Sequence, residues 1–437
     1  MNLSTVQKNI IAMADPTAVE RAISLASKNF ANDEIVANSN PYKINTSDQV
    51  KTLVTTADGP YTKPELNEVI ATSTILHLYD GWSYLAEALK ASYRSEAGIA
   101  RHLAYYAELR AAMSILAASG IGIFNNHHVI LDSNDQLIAI PGKIATHQIA
   151  WLALQEWGTF HSSGVLLGNE INAFGNTLSE WTREFQGTST FSLTGAEWVN
   201  NWGLDLNQFS QDRNSRNEVS YRVNFNYLSP SKNPSELASF ISDLWTNTEP
   251  GSSSFVLLDQ FLVRSALEKI YQSKVRSHLG EDYRCRIENT CKKLGAENYI
   301  DFLCRRISPD DPEIIKYAGK TSGVYDTHQY LEVISRSYLL LRIATASTRS
   351  LLRNSSISID DISFWWTHVG TESGLWPRST PPADPLETWD NINLSLEDFN
   401  EWIQVGNSNC WHDLHKDIGT TINSLARTEL AALWGIA

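Results

Sequence analysis

Apolar residues recur along this chain at helical rather than strand spacing. Over residues 100–119, Leu103, Tyr106, Arg110, Met113 and Leu116 fall on one stripe, and Ala104, Ala107, Ala111 and Ala118 form an adjoining small-residue face. Small side chains let a neighbouring helix approach closely, so the pattern predicts a packing helix. A second long helix is predicted over 328–352, with Val333, Ser337, Leu340, Ala344, Ser347 and Leu351 at steps of four and three. Arg342, Arg349 and Arg353 share another of its faces, which reads either as a solvated charged face or as a local contact for phosphate or a partner.

Helix starts are marked independently. Thr62 with Pro64 and Glu65, Thr194 with Glu197, Asn233 with Glu236 and Ser358 with Asp361 each read as a capping box. Pro234 and Pro312 each fit a first helical position, where a missing N–H costs nothing. The expected fold is therefore all-α, a multi-helix bundle with a small β-hairpin insertion and a second helical domain at the C-terminal end. The hairpin is "VILDSNDQLIAIP" (129–141), two apolar runs around a Ser-Asn-Asp turn. "YRVNFNYL" (221–228) alternates and reads as extended, which ends the helix carrying Arg213 and Arg216 near Tyr221.

Residues 1–60 read as a short helix (Ala18 to Phe30) followed by a polar loop or arm. A helical domain follows over 61–230, then a C-terminal helical domain over 236–437. The Ser, Pro and Asn-rich "NYLSPSKNPSE" (226–236) marks the boundary. "LWPRSTPPADPLETWDN" (375–391) reads as a surface loop.

Composition narrows the function. A formal charge of −14 repels nucleic acid as a whole, so any RNA contact must be made through a local basic face. Fourteen Trp point to well-packed helices or partner surfaces. Cys285, Cys291, Cys304 and Cys410 make neither a disulfide scaffold nor a Cys-x2-Cys zinc pair, and they read as reduced thiols in a cytoplasm. No signal-peptide core and no 18-residue apolar run is present, so neither secretion nor a membrane span is expected.

"YYAELRAAMSILAASGIGIFNNHHVILD" (105–132) resembles the helical core shared by HEPN-type domains and YaaC-like proteins: a Tyr-Tyr-Ala helix rich in Ala and Leu, ending here at Gly120, with His127-His128 beyond it. "RNSRNEVSYR" (213–222) follows where those families place an Arg-rich helix. The resemblance covers residues 65–230. It implies metal-free RNA chemistry, in which Arg steadies the phosphate, His moves the proton and a polar residue orients them. Arg213, Arg216 and Asn217 lie at i, i+3 and i+4 and would share a helix face, with Tyr221 and Arg222 as further binding residues. The family pattern then requires a His four to six intervening residues after the Arg. No Arg in the chain has one; Arg94 and His102 come nearest, with seven between. Tyr221, Arg222 and Val223 stand there instead, and neither Tyr221 nor Arg222 is a ready base at neutral pH. A catalytic His would have to come from His127 or His128.

The resemblance therefore implies a non-catalytic HEPN-like component of a bacterial conflict or antiviral (phage) defence assembly, acting by protein or local RNA binding. Other protein subunits are the expected partners, and a homodimer is compatible with it. The rival is a metal-independent HEPN-type endoribonuclease with a rearranged site. A third reading comes from "WWTHVGTESGLW" (365–376), which sets His368 and Glu372 among Trp365, Trp366 and Trp376 and could line the pocket of a small-molecule sensor. "CWHDLHKD" (410–417) clusters Cys410, His412, Asp413 and His415 without a second ligand pair and reads as a polar helix turn. No phosphate-cradling glycine motif, nucleophile elbow or metalloprotease helix occurs, so no metal or cofactor is expected. The readings differ geometrically. The nuclease requires an imidazole against the Arg216 face, the scaffold requires that face in salt bridges, and the sensor requires a pocket lined by Trp366 and His368.

Overall fold

The computed structural model describes residues 2–56, 59–187, 193–202, 204–221, 234–251, 255–275, 280–305, 311–320, 329–405 and 411–437. The helices are α1 (Thr5–Ile11), α2 (Pro16–Ala26), α3 (Thr46–Thr56), α4 (Pro64–Tyr93), α5 (Ala97–Ala118), α6 (Thr146–Gly158), α7 (His161–Glu170), α8 (Leu178–Gln186), α9 (Gly195–Asn201) and α10 (Gln208–Tyr221). There follow α11 (Pro234–Thr246), α12 (Val256–Val275), α13 (Glu281–Leu294), α14 (Ile300–Leu303), α15 (Glu313–Ala318), α16 (Gln329–Asn354), α17 (Ser363–Glu372), α18 (Thr388–Gln404), α19 (Trp411–Leu425) and α20 (Glu429–Ile436). The described strands are short: β1 (Ile121–Gly122), β2 (His128–Leu131) and β3 (Leu137–Ile140) form one antiparallel sheet, and β4 (Asn172–Ala173) pairs with β5 (Asn176–Thr177). The chain is predominantly helical, and no described helix is long and apolar enough to cross a membrane.

Three long helices make the centre. α4 and α5 form a hairpin packed along its length, and α16 lies against both. Gly81 of α4 permits this approach: a Cβ there would sit 2.7 Å from Leu341 Cδ2 of α16. Ala104, Ala107 and Ala111 of α5 are fully buried, as the small-residue face predicts. Trp82 Nε1 donates to Thr345 Oγ1 (3.2 Å), and Thr428 Oγ1 donates to the Trp82 carbonyl (3.0 Å), which ties α4, α16 and the last helix together. Helices from both sides of residues 226–236 thus share one core.

α16 is buried on every face from Gln329 to Thr348, so its charged positions require internal partners. Arg336 makes a bidentate pair with Asp212 of α10, at 2.7 Å to each oxygen, and donates to the Lys320 carbonyl (2.9 Å). Glu108 and Glu332 lie 4.0 and 3.9 Å from the same guanidinium. Arg342 pairs with Asp259 of α12 at 3.0 and 2.8 Å and donates to the Glu170 carbonyl. One guanidinium cannot neutralise three carboxylates, and neither Glu108 oxygen has a hydrogen-bond partner among the described residues. Burial and the adjacent Asp212 hold the Glu108 carboxyl well above its usual range, so it is the proton carrier of the cluster.

Several starts and turns are where the pattern put them. Thr194 and Glu197 cap α9 reciprocally, Ser358 and Asp361 exchange hydrogen bonds ahead of a short 3-10 turn, and Pro234 opens α11. The hairpin forms with Leu131 opposite Leu137, and Asp132 Oδ1 accepts from Asn134 N and Gln136 N to shape its turn. α10 closes at Tyr221, while residues 222–228 and Asn233 lie outside the described residues. Three expectations are corrected. Thr62 does not cap α4; Lys63 is its N-cap and makes no side-chain bond, Pro64 at the first position sufficing to start it. Pro312 is the N-cap of α15, one residue early. The polar arm contains a helix, α3, anchored by the single fully buried side chain of Val50.

Removing one partner of a buried pair leaves the other charge uncompensated. Arg336→Met is expected to cost about 3–5 kcal/mol in urea unfolding; a loss below about 1 kcal/mol would refute the structural role assigned to this pair. The folded chain also binds a proton at Glu108 that the unfolded chain releases in the ordinary carboxylate range. Stability from this group is therefore full at acid pH and lost as pH rises through its raised value. Glu108→Gln should flatten that decline above the ordinary carboxylate range, and parallel wild-type and variant profiles would argue against it.

Candidate functional site

A cleft of about 1400 Å³ opens where the N-terminal arm, α4, α5, the β1–β2 turn and α17 meet. Its floor is built by Ser73, Leu76, His77 and Asp80 of α4 with Arg110 and Met113 of α5, and its walls include Phe124, Phe364 and Trp365. Each wall is anchored. Phe30 meets Phe364 at 5.7 Å between centroids, and Tyr79 meets Trp365 edge-on at 5.7 Å while its hydroxyl hydrogen-bonds Ser373 Oγ (3.0 Å). The arm is pinned by Asn40 Nδ2 donating to the Glu65 carbonyl (2.9 Å).

The polar centre of the floor is a short chain of contacts. Arg110 Nη1 donates to His77 Nδ1 at 3.0 Å, and its Nε lies 3.5 Å from Asp80 Oδ2. An Arg always donates, so His77 Nδ1 must accept and the proton of the neutral imidazole sits on Nε2. Burial, helped by the Arg110 charge, pushes His77 down to about 3. Burial in the cleft raises the Asp80 carboxyl against the pull of Arg110. The remaining Arg110 N–H groups and His77 Nε2–H make no hydrogen bond to other described residues. The floor is therefore rich in donors, and the walls mix aromatic side chains with polar ones, Asp33, Glu34 and Lys43 among them.

The sequence-singled residues are scattered relative to this cleft. His368 lines it and is exposed, but its neighbour Trp366 is buried elsewhere, donating to the Ile359 carbonyl (3.2 Å) and packing edge-on against Trp376. His128 is 1% exposed, with both ring nitrogens engaged: Phe124 N donates to Nδ1 (3.1 Å) and Nε2 donates to the Ile144 carbonyl (2.8 Å). Burial pushes it down to about 4. It holds the turn that presents Phe124 to the cleft. His127 donates from Nδ1 to the Asn125 carbonyl (3.2 Å), and its Nε2 is enclosed without a partner among the described residues. Neither His is hydrogen-bonded to a described side chain of α10.

Arg213 and Asn217 are half-buried on α10. Arg216 and Tyr221 belong to the same helix, their side chains outside the described residues, and Arg222 lies outside them altogether. Arg342 is no surface cation, being committed to Asp259 inside the core. Burial lowers Arg349, and Arg353 pairs with Glu170. His415 donates from Nε2 to the Tyr93 carbonyl (3.0 Å), Cys410 lies outside the described residues, and no described cluster of three or more His, Cys, Asp or Glu is arranged to hold a metal. His77 and Asp80 went unremarked in the sequence. The available signal was Arg110, a charge inside an otherwise apolar stripe, with His77 and Asp80 one turn apart on the partner helix.

Fold and site together define a helical protein with one large donor-floored cleft among its described residues. Comparison with known proteins finds no matching family model, no similar curated protein and no similar solved structure.

The His77 imidazole should stay neutral from about pH 5 to about pH 8, where a free His titrates. Its ring C–H resonances should not shift across that range, and Arg110→Gln should move its titration upward. A wild-type titration near an ordinary His value would rule out the Arg110-to-Nδ1 arrangement.

Proposed function

We propose that the protein is a small-molecule sensor whose cleft binds an organic acid with an apolar body. The observation that carries this reading is the Arg110–His77 donor pair at the floor of the cleft, beneath Phe124, Phe364 and Trp365. A carboxylate placed there would take charge-assisted hydrogen bonds from Arg110 and a further one from His77 Nε2–H. The apolar body would lose its water against the aromatic walls. The volume exceeds the usual range for drug-sized pockets, roughly 300–1,000 Å³, so the ligand is large or shares the cleft with water. Nothing in this arrangement requires turnover: His77 is too weak a base at neutral pH to accept a proton, so binding is the favoured role.

A second reading keeps the HEPN-like component of a bacterial defence assembly. It rests on the 105–132 and 213–222 blocks. The α4–α5 hairpin is consistent with a helical core over residues 65–230, and the Asp212–Arg336 pair fixes α10 to it while Arg213 and Asn214 stay within reach of a partner protein or RNA strand. In that reading the cleft ligand is the trigger and the α10 face meets the partner.

A thermal-shift panel of long-chain and aromatic carboxylic acids, each beside its neutral amide, tests the first reading. The acids should raise Tm and the amides should not, and Arg110→Gln should weaken acid binding by about tenfold or more. Equal shifts from acids and amides, or binding indifferent to Arg110→Gln, would sink it.

A further inference from the structure

A second hollow, of about 510 Å³, lies between the C-terminal end of α4 and the middle of α19 and shares no lining residue with the cleft. Its lining is strongly cationic for a chain of net charge −14: Lys90, Arg94 and Lys416, with His415 beside them. Asp417 is the one carboxylate among its lining residues, and that group already accepts from Trp402 Nε1 (3.4 Å). Lys90 has Glu87 one turn away at 2.7 Å, but Arg94 and Lys416 make no ion pair with any described residue. The bases on α4 complement the negative end of that helix, which explains Lys90 and Arg94 singly. It does not explain why Lys416, on a different helix, turns into the same hollow.

Two further features lie at the hollow. Tyr93 lines the hollow, is 1% exposed, and its hydroxyl has no hydrogen-bond partner among the described residues. α19 is also kinked here: Ile418 leaves helical geometry (φ −131°, ψ 31°), and the next residue, Gly419, has open space on its Cβ side. Gly419, a poor helix former, supplies a local cause for the break.

We propose that this hollow binds a soluble phosphate group, either inorganic phosphate or a small phosphate monoester. Arg94 and Lys416 supply the charge, and Thr420 and Asn423 supply neutral donors. The hollow is larger than a bare phosphate needs, which leaves room for the ester's organic part. The site is separate from the cleft and does not depend on what the cleft binds.

The test is titration calorimetry of the full chain with inorganic phosphate and, separately, with glycerol 3-phosphate, at matched ionic strength. Saturable binding of either is expected. Arg94→Ala/Lys416→Ala changes two exposed side chains without touching the core and should weaken binding by about tenfold or more, whereas Arg110→Gln in the cleft should leave it unchanged. No saturable binding below about 10 mM, or equal affinity in wild type and double variant, overturns the proposal.

Discussion

Two arginines buried in α16 constrain everything around them. A guanidinium cannot shed its charge, so Arg336 and Arg342 can occupy a fully buried helix only if carboxylates are carried to them. Asp212 comes from α10 and Asp259 from α12, and Asn172 N donates to Asp259 in turn. The two pairs fix where α10, α12 and the α7–β4 junction must lie. Breaking either strands a charge in the core, and this makes the arrangement specific even where the net stabilisation of each pair is small.

The cleft is a consequence of that centre. α4 and α5 present their small-residue and apolar faces to α16, and their remaining stripe, with His77, Asp80, Arg110 and Met113, is left facing outward. The N-terminal arm and α17 supply its walls. Polar groups on that stripe are satisfied by one another, His77 by Arg110 and Arg110 by Asp80, with donors left over. Leftover donors in a concave site are available to a ligand. The same logic distinguishes the hollow beside α19, where the cations outnumber the carboxylates.

The motif that stood out in the chain and the site that stands out in the fold are different. "RNSRNEVSYR" attracts notice by its repeated Arg-Asn, yet in the fold its immediate neighbour Asp212 has the structural task, and His127 and His128 serve the β1–β2 turn. His128 is instructive: the pair of His residues looked like proton-transfer candidates, but one of them spends both nitrogens holding backbone in place.

The sequence by itself determined the local elements. Three-to-four-residue apolar spacing specified α5 and α16, Pro at a first position opened α4 and α11, reciprocal Thr and Glu caps set α9, and alternating apolar runs around a polar turn made the hairpin. All of these rest on interactions within a few residues, so they are legible along the chain. Burial of Arg342, the partnership of Glu108 with Asp212 and Arg336, and the meeting of His77 with Arg110 were decided only by tertiary structure. Each joins residues more than thirty positions apart, and the charge on an arginine reads the same in sequence whether it faces water or a carboxylate in the core.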